Sequence, residues 1–220
     1  MPQGLLLDLD DTLYDYAPAA RAAEADLFAT LGSMGVGNAK DAWARARAAV
    51  KARTAGTAAS HSRLLYLAEL AHEDSRLDLL PRCLELDARY WEVFLATARL
   101  RDGARELLEG FRGRGGRIAL VTDLTLAVQL RKLSALGLLS AIDALVTSEE
   151  AGAEKPDPRP FQLAAARLGV SLRTCVVLGD TDERDGEGAR RLNLPFFLAP
   201  SSTTSGIPLP ELARILEAMP

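Results

Sequence analysis

The 220-residue chain is 48% hydrophobic and 25% charged, a composition that can bury a real core and that excludes a disordered chain. Its formal net charge of −4 argues against nucleic acid or an anionic membrane as partner, since both are held by clustered positive charge. No apolar run approaches the ~18 residues of a membrane span and no basic leader precedes the first strand-like segment, so a cytoplasmic protein with a small-molecule partner is expected.

The first strand is expected at residues 4–9 (GLLLDL). From about 15 to 98 follows an Ala-, Leu- and Arg-rich stretch with helical periodicity and no convincing strand. It reads as an insertion of four helices, interrupted at Gly32, Gly35 and Gly37 and again at GTAAS (56–60). Trp43, Tyr90, Trp91 and Phe94 are its candidate core. Beyond it, apolar runs at 117–122 (RIALVT), 142–147 (IDALVT), 174–179 (TCVVLG) and 194–199 (LPFFLA) read as buried strands. Helical spacing occupies 103–113, 125–137, 158–168, 185–192 and 208–218. Strand alternating with helix predicts a parallel sheet covered on both faces. Cys83 and Cys175 are the only cysteines, and Cys175, inside an apolar run, reads as a small buried hydrophobe.

LLLDLDDTL (5–13) places three aspartates at the mouth of the first strand. Side chains at i and i+2 of a strand share a face, so Asp8 and Asp10 can converge at its carboxyl end, where open parallel sheets bind ligands. Two carboxylates that close repel unless a cation holds them ionised, and oxygen ligands of this kind suit Mg²⁺. The competing reading makes Asp10, Asp11 and Thr12 turn and cap residues only. The other strand ends weigh against it, because VTD (121–123), EKPDP (154–158) and GDTDERD (179–185) bring polar groups to the same edge.

Taken in order, DLDDT, Thr122, Lys155 and Gly179-Asp180 with Asp185 resemble the motif set of the haloacid dehalogenase (HAD) superfamily. The resemblance implies an α/β fold: a Rossmann-like parallel sheet core (1–14 and 99–220) with helices on both faces, and an all-helical cap of the C1 type (15–98). It implies Asp8 as nucleophile and Asp10 as acid/base. Thr122, Asp123 and Lys155 would gather the phosphoryl group, and Asp8, the backbone carbonyl of Asp10, and Asp180 would hold Mg²⁺, with Asp185 a further or alternate ligand. Asp182 and Glu183 read as solvated loop charges, and Leu124 stands where relatives often have Gly. Lys155 is one of only four lysines against 22 arginines, which favours a specific role.

The implied activity is a Mg²⁺-dependent phosphatase acting on a small phosphorylated metabolite through an aspartyl-phosphate. A sugar phosphomutase and a non-catalytic binding protein on the same fold are the alternatives; a dehalogenase fits less well, since such enzymes generally lack the carboxylate of Asp10. In the cap, the loop TAGTAASHSR (54–63) offers Ser60, His61 and Arg63 as substrate readers, Arg being suited to forking onto a second anionic group. The alternative is that Ser60 caps the next helix and Arg63 lies on its wet face. No pattern in the sequence fixes an oligomeric state.

Overall fold

The computed structural model describes residues 2–73, 75–201 and 204–219. In chain order the elements are β1 (Gly4–Leu7), α1 (Tyr16–Ser33), α2 (Ala39–Arg53), α3 (Arg63–Glu73), α4 (Cys83–Thr97), α5 (Ala104–Gly113), β2 (Arg117–Thr122), α6 (Leu126–Ala135), β3 (Ala144–Thr147), α7 (Ser148–Ala151), α8 (Pro158–Leu168), β4 (Cys175–Gly179), α9 (Glu187–Arg191), β5 (Phe196–Leu198) and α10 (Leu209–Ala218). The chain divides into two compact units, Met1–Tyr16 with Arg99–Pro220, and Ala17–Ala98.

The first unit is built on an all-parallel sheet of order β3-β2-β1-β4-β5, a Rossmann-like α/β fold. Leu7 pairs with Leu120 on one side and Leu178 on the other, and Leu5, Leu6 and Leu7 are fully buried, as a central strand flanked on both edges and both faces requires. The chain runs from β1 outward to β2 and β3, then returns to the far side of β1 as β4. Strand order therefore reverses beside β1, and in such sheets the crevice at that reversal is where ligands bind.

The expected strands are present, some of them shorter, and each trimming has a local cause. At 142–147 the ladder starts at Ala144 because the Asp143 carboxylate accepts from Ile118 N at 2.8 Å, replacing a strand partner with a side chain. At 194–199 it starts at Phe196, since Pro195 has no N–H to give; its carbonyl still accepts from Val177 N at 2.9 Å. The helix expected at 185–192 is split into a wide π-type turn, Asp182–Gly186, and the short α9. Helix α8 has Asp157 as N-cap, accepting from Arg159 N, Pro158 in its first turn, and Gly169 beyond its end at φ 67°.

In the second unit the described residues form four α-helices, with 3₁₀ turns at Ala58–His61 and Leu77–Arg82. Its core is aromatic. Trp43 meets Tyr66 edge-on at 5.3 Å, and Trp91 meets Tyr90 and Phe94 at 5.3 and 5.2 Å. The four expected aromatics are buried, and Tyr66 joins them. Chain entry and exit lie side by side within the first unit: Tyr14 and Leu100 form an antiparallel bridge, and Arg101 N donates to Leu13 O at 2.9 Å. Cys83 and Cys175 are both buried and unbridged. Among the described residues no helix is long and apolar enough to cross a membrane.

Candidate active site

Beyond Leu7 the chain leaves the sheet while Asp8 N still donates to Leu178 O at 2.9 Å, which fixes Asp8 at the strand's carboxyl end. Its two oxygens are held separately. Thr12 Oγ1 donates to Oδ2 at 3.0 Å, and Lys155 Nζ stands 2.5 Å from Oδ1. Thr12 reaches back because Asp11 takes φ 61° and turns the chain; Asp11 Oδ1 then accepts from Tyr16 N at the start of α1. Asp11 and Thr12 thus are turn residues, as the competing sequence reading held, yet Thr12 also orients Asp8.

Lys155 arrives from the loop before α8 with its backbone N–H donating to Asp123 Oδ1 at 3.1 Å, and its ammonium reaches Asp185 Oδ1 at 2.7 Å as well as Asp8. Asp123 Oδ2 pairs with Arg184 at 2.9 Å. The Asp123 carboxylate is therefore committed to placing Lys155 and Arg184. At the end of β2, Thr122 Oγ1 accepts from Gln129 Nε2 at 2.6 Å, and the same nitrogen donates to Asp123 O at 3.0 Å. A carbonyl can only accept, so the Gln129 amide is fixed with its nitrogen toward Thr122. With an acceptor position of its oxygen filled, the Thr122 hydroxyl is set to donate.

Oxygens of Asp8, Asp180 and Asp185 lie within 4.8 Å of one another. Asp180 follows β4 directly, and Asp185 is folded back beside it by the π-type turn, with its N–H on Thr181 O at 2.8 Å. Gly179 makes the approach possible: a Cβ there would meet the Asp185 carboxylate at 2.3 Å. Burial, opposed by Lys155 and reinforced by Asp185 and Asp10, pushes Asp8 up to about 7. Burial, then Asp8 and Asp11, pushes Asp180 up to about 6, and burial also raises Asp185 against the pull of Lys155. For Lys155, burial works against the charge, but Asp185, Asp8 and Asp123 outweigh it and the ammonium is held. Three carboxylates around one ammonium leave an excess of negative charge. All-oxygen donors with such an excess suit a hard divalent cation, so the residues present fit Mg²⁺.

Asp10 is placed differently. Its carboxylate turns away from that cluster to Lys132, whose Nζ lies 2.8 and 2.6 Å from Oδ1 and Oδ2, and to the Tyr14 hydroxyl, 2.6 Å from Oδ1. Only its backbone carbonyl is left for a metal. Sequence reasoning missed Lys132, Tyr14, Gln129 and Arg184. A signal existed for Lys132: it is another of the four lysines, and it falls on the apolar face of α6 with Gln129 and Leu133.

Leu124 keeps a backbone that favours glycine, φ 134°, and its N–H donates to Ser148 Oγ at 2.9 Å, so this amide is engaged by α7. Asp182 pairs at the surface with Arg190 at 2.5 Å, and Glu183 is exposed. Within the helical unit, Ser60 is buried and its carbonyl accepts from the Tyr66 hydroxyl. Ser62, rather than Ser60, serves the start of α3, accepting from Leu65 N at 3.2 Å. Arg63 donates to His61 O at 2.6 Å, and its guanidinium lies over Tyr66, Tyr90 and Trp91 at 5.9, 5.6 and 5.2 Å, so it does not lie on a wet face.

A doubly wound sheet with carboxylates and a buried lysine gathered at the end of its central strand defines an open α/β core with its site at the carboxyl edge, where such sheets bind ligands. The chain belongs to the haloacid dehalogenase-like hydrolases, matching that family over residues 2–193. It is 36% identical over 209 residues to the ribulose-1,5-bisphosphate 5-phosphatase of Halopiger xanaduensis, covering 93% of this chain and 87% of that protein. Its fold is that of a 2-haloacid dehalogenase from Pseudomonas syringae (TM-score 0.74, 24% identity, 99% of each chain). It is equally that of the HAD hydrolase YfnB from Bacillus subtilis, a structure bound to magnesium (TM-score 0.71, 21% identity, 98% and 99% of the chains).

Proposed function

We propose that the chain is a Mg²⁺-dependent phosphatase that hydrolyses a small phosphomonoester, of the sugar-phosphate class, through an aspartyl-phosphate on Asp8. The observation that carries this reading is the Asp8 carboxylate, fixed at the end of β1 by Thr12 and Lys155 with Asp180 and Asp185 beside it. The substrate class follows the Halopiger relative, named for a sugar bisphosphate.

In the first step Asp8 bonds to phosphorus while the ester oxygen leaves with a proton from Asp10. In the second a water gives Asp10 that proton back, attacks the acyl phosphate and frees Asp8 and inorganic phosphate. Thr122 donates to a phosphoryl oxygen, and Lys155 balances charge on Asp8 and on the transferred group. Held by Asp8, Asp180 and Asp185 with the Asp10 carbonyl, Mg²⁺ would supply the positive charge that lets an anionic nucleophile meet an anionic phosphoryl group. The helical unit is the proposed cap, and Ser60, His61 and Arg63 are its candidate readers of the leaving group.

The test is phosphate release from a panel of sugar phosphates and from p-nitrophenyl phosphate, in Mg²⁺ and in EDTA, with mass spectrometry of the acid-quenched protein. Turnover that stops in EDTA, returns with Mg²⁺ and leaves a phosphoryl group on Asp8 is expected. Full turnover in chelator would overturn the metal mechanism.

A further inference from the structure

Lys132 is withdrawn from solvent almost completely, its side chain 1% exposed. An ammonium in that position persists only where it is paired and hydrogen-bonded. Its partner is Asp10, gripped at both carboxylate oxygens, 2.8 and 2.6 Å from Nζ. The rings of Tyr16 and Tyr14, 5.4 and 6.0 Å from the same nitrogen, flank the cation and help to hold it. Tyr14 adds its hydroxyl to Asp10 Oδ1 at 2.6 Å.

Contacts to both oxygens fix the plane of the carboxylate as well as its position. For an acid/base group this matters, because the proton has to pass between oxygens only about 2.6–3.2 Å apart. An aspartate on a turn such as Asp10-Asp11-Thr12, with one contact or none, would sample several rotations. Lys132 also lies one turn beyond Gln129 on α6, so a single helix face reaches Asp10 through one side chain and Thr122 through the other.

We propose that Lys132, assisted by Tyr14, is the positioning residue of Asp10, holding its carboxylate in the orientation that takes a proton from the water attacking the acyl phosphate. Lys132 acts through Asp10 and not on the substrate. The inference rests on the phosphatase reading above.

The reaction itself supplies a discriminating readout. A p-nitrophenolate leaves as the anion without a proton from Asp10, so its first-turnover burst reports formation of the acyl phosphate, while steady turnover also needs the water step in which Asp10 takes a proton. kcat/KM reports events through the first irreversible step, in which the Asp8–phosphorus bond forms and the ester bond breaks. Lys132→Met, which keeps length and removes the donor, should therefore lower kcat on p-nitrophenyl phosphate about 10- to 100-fold more than kcat/KM, the scale of a misplaced catalytic group, with a burst of p-nitrophenolate and a phosphoryl group accumulating on Asp8. Tyr14→Phe should show the same asymmetry to a smaller degree, with its ring and the fold kept. Mg²⁺ affinity by titration calorimetry should stay within about twofold of wild type in Tyr14→Phe, since that change keeps the local charge and leaves Asp8, Asp180, Asp185 and the Asp10 carbonyl in place.

Equal losses in kcat and kcat/KM, with no phosphoryl group accumulating, in both variants would overturn the proposal and make Lys132 a plain core ion pair. Should Lys132→Met fail to fold, Tyr14→Phe decides alone by the same criterion. A wild-type protein that releases phosphate from neither p-nitrophenyl phosphate nor an alkyl phosphate would sink the phosphatase reading and this inference with it; equal losses in an active enzyme sink this inference only.

Discussion

The Lys155 ammonium stands 2.5 Å from Asp8 Oδ1, and both side chains are out of solvent. Asp8→Asn keeps an oxygen for Lys155 and nearly the same shape while removing the nucleophile. Turnover should vanish with the fold intact by circular dichroism, and without metal at pH 8 the variant should melt higher than wild type, because one of three crowded charges is gone. Residual activity above a few per cent in a pure sample would show that Asp8 is not the nucleophile.

Asp10→Asn retains a side chain of similar size but can neither give nor take the proton. On an alkyl phosphate kcat should fall by roughly 10²- to 10⁴-fold, the usual cost of losing a general acid. An unchanged rate at every pH would mean that another group protonates the leaving oxygen.

Metal and pH act on the same carboxylates. In chelator, Asp8 at about 7 and Asp180 at about 6 hold protons that the unfolded chain, near 3.8, has already released. The folded state binds the excess protons, so this contribution is fully present below about pH 4 and is lost as pH rises to about 7. Exposed carboxylates lowered by arginine neighbours, such as Asp78 beside Arg76, titrate below that window. Mg²⁺ selects the ionised carboxylates, and its Tm gain should grow steadily from about pH 5 to about pH 8. Differential scanning fluorimetry in EDTA and in Mg²⁺ measures it; a gain that does not vary with pH would contradict the assignment of these residues to the cation.

Gln129 orients the Thr122 hydroxyl, so Gln129→Met should weaken phosphate binding rather than stop chemistry. Losing one hydrogen bond of about 1 kcal/mol corresponds to roughly a fivefold rise in KM and in the inhibition constant of inorganic phosphate. A loss confined to kcat would instead place Gln129 in the chemical step.

Arg63→Ala removes a cation lying over three rings, worth about 1 kcal/mol, and should lower the Tm by about 2–4 °C. If Arg63 also reads the leaving group, kcat/KM should drop further on a sugar bisphosphate than on p-nitrophenyl phosphate. Equal drops would leave it a structural residue of the helical unit.

What the sequence made legible was local. The leucine run of β1, the Asp157-Pro158 cap that starts α8 and the helical periodicity of the insertion each declare themselves within a few residues. Asp8, Thr122 and Asp180 were legible as neighbours because a parallel sheet sends its strand ends to one edge, and Lys155 stood out because so few lysines compete with it. The grip of Lys132 on Asp10 joins residues 122 positions apart, and no spacing rule relates them. Asp185 returns to Asp180 through a π-type turn, for which the sequence offers only acidic residues and a glycine.

The bridge between Tyr14 and Leu100 makes the helical insertion a closed loop with a narrow neck. A chain cut there and rejoined by a few turn residues would keep both halves of the sheet and every side chain of the acidic crevice. Loop-closure cost rises only slowly with length, by about 0.6 kcal/mol per doubling, so the neck accepts an insert of almost any size. Position 14–100 is thus a graft point, at which one α/β core can be given a different inserted module without renegotiating its own fold.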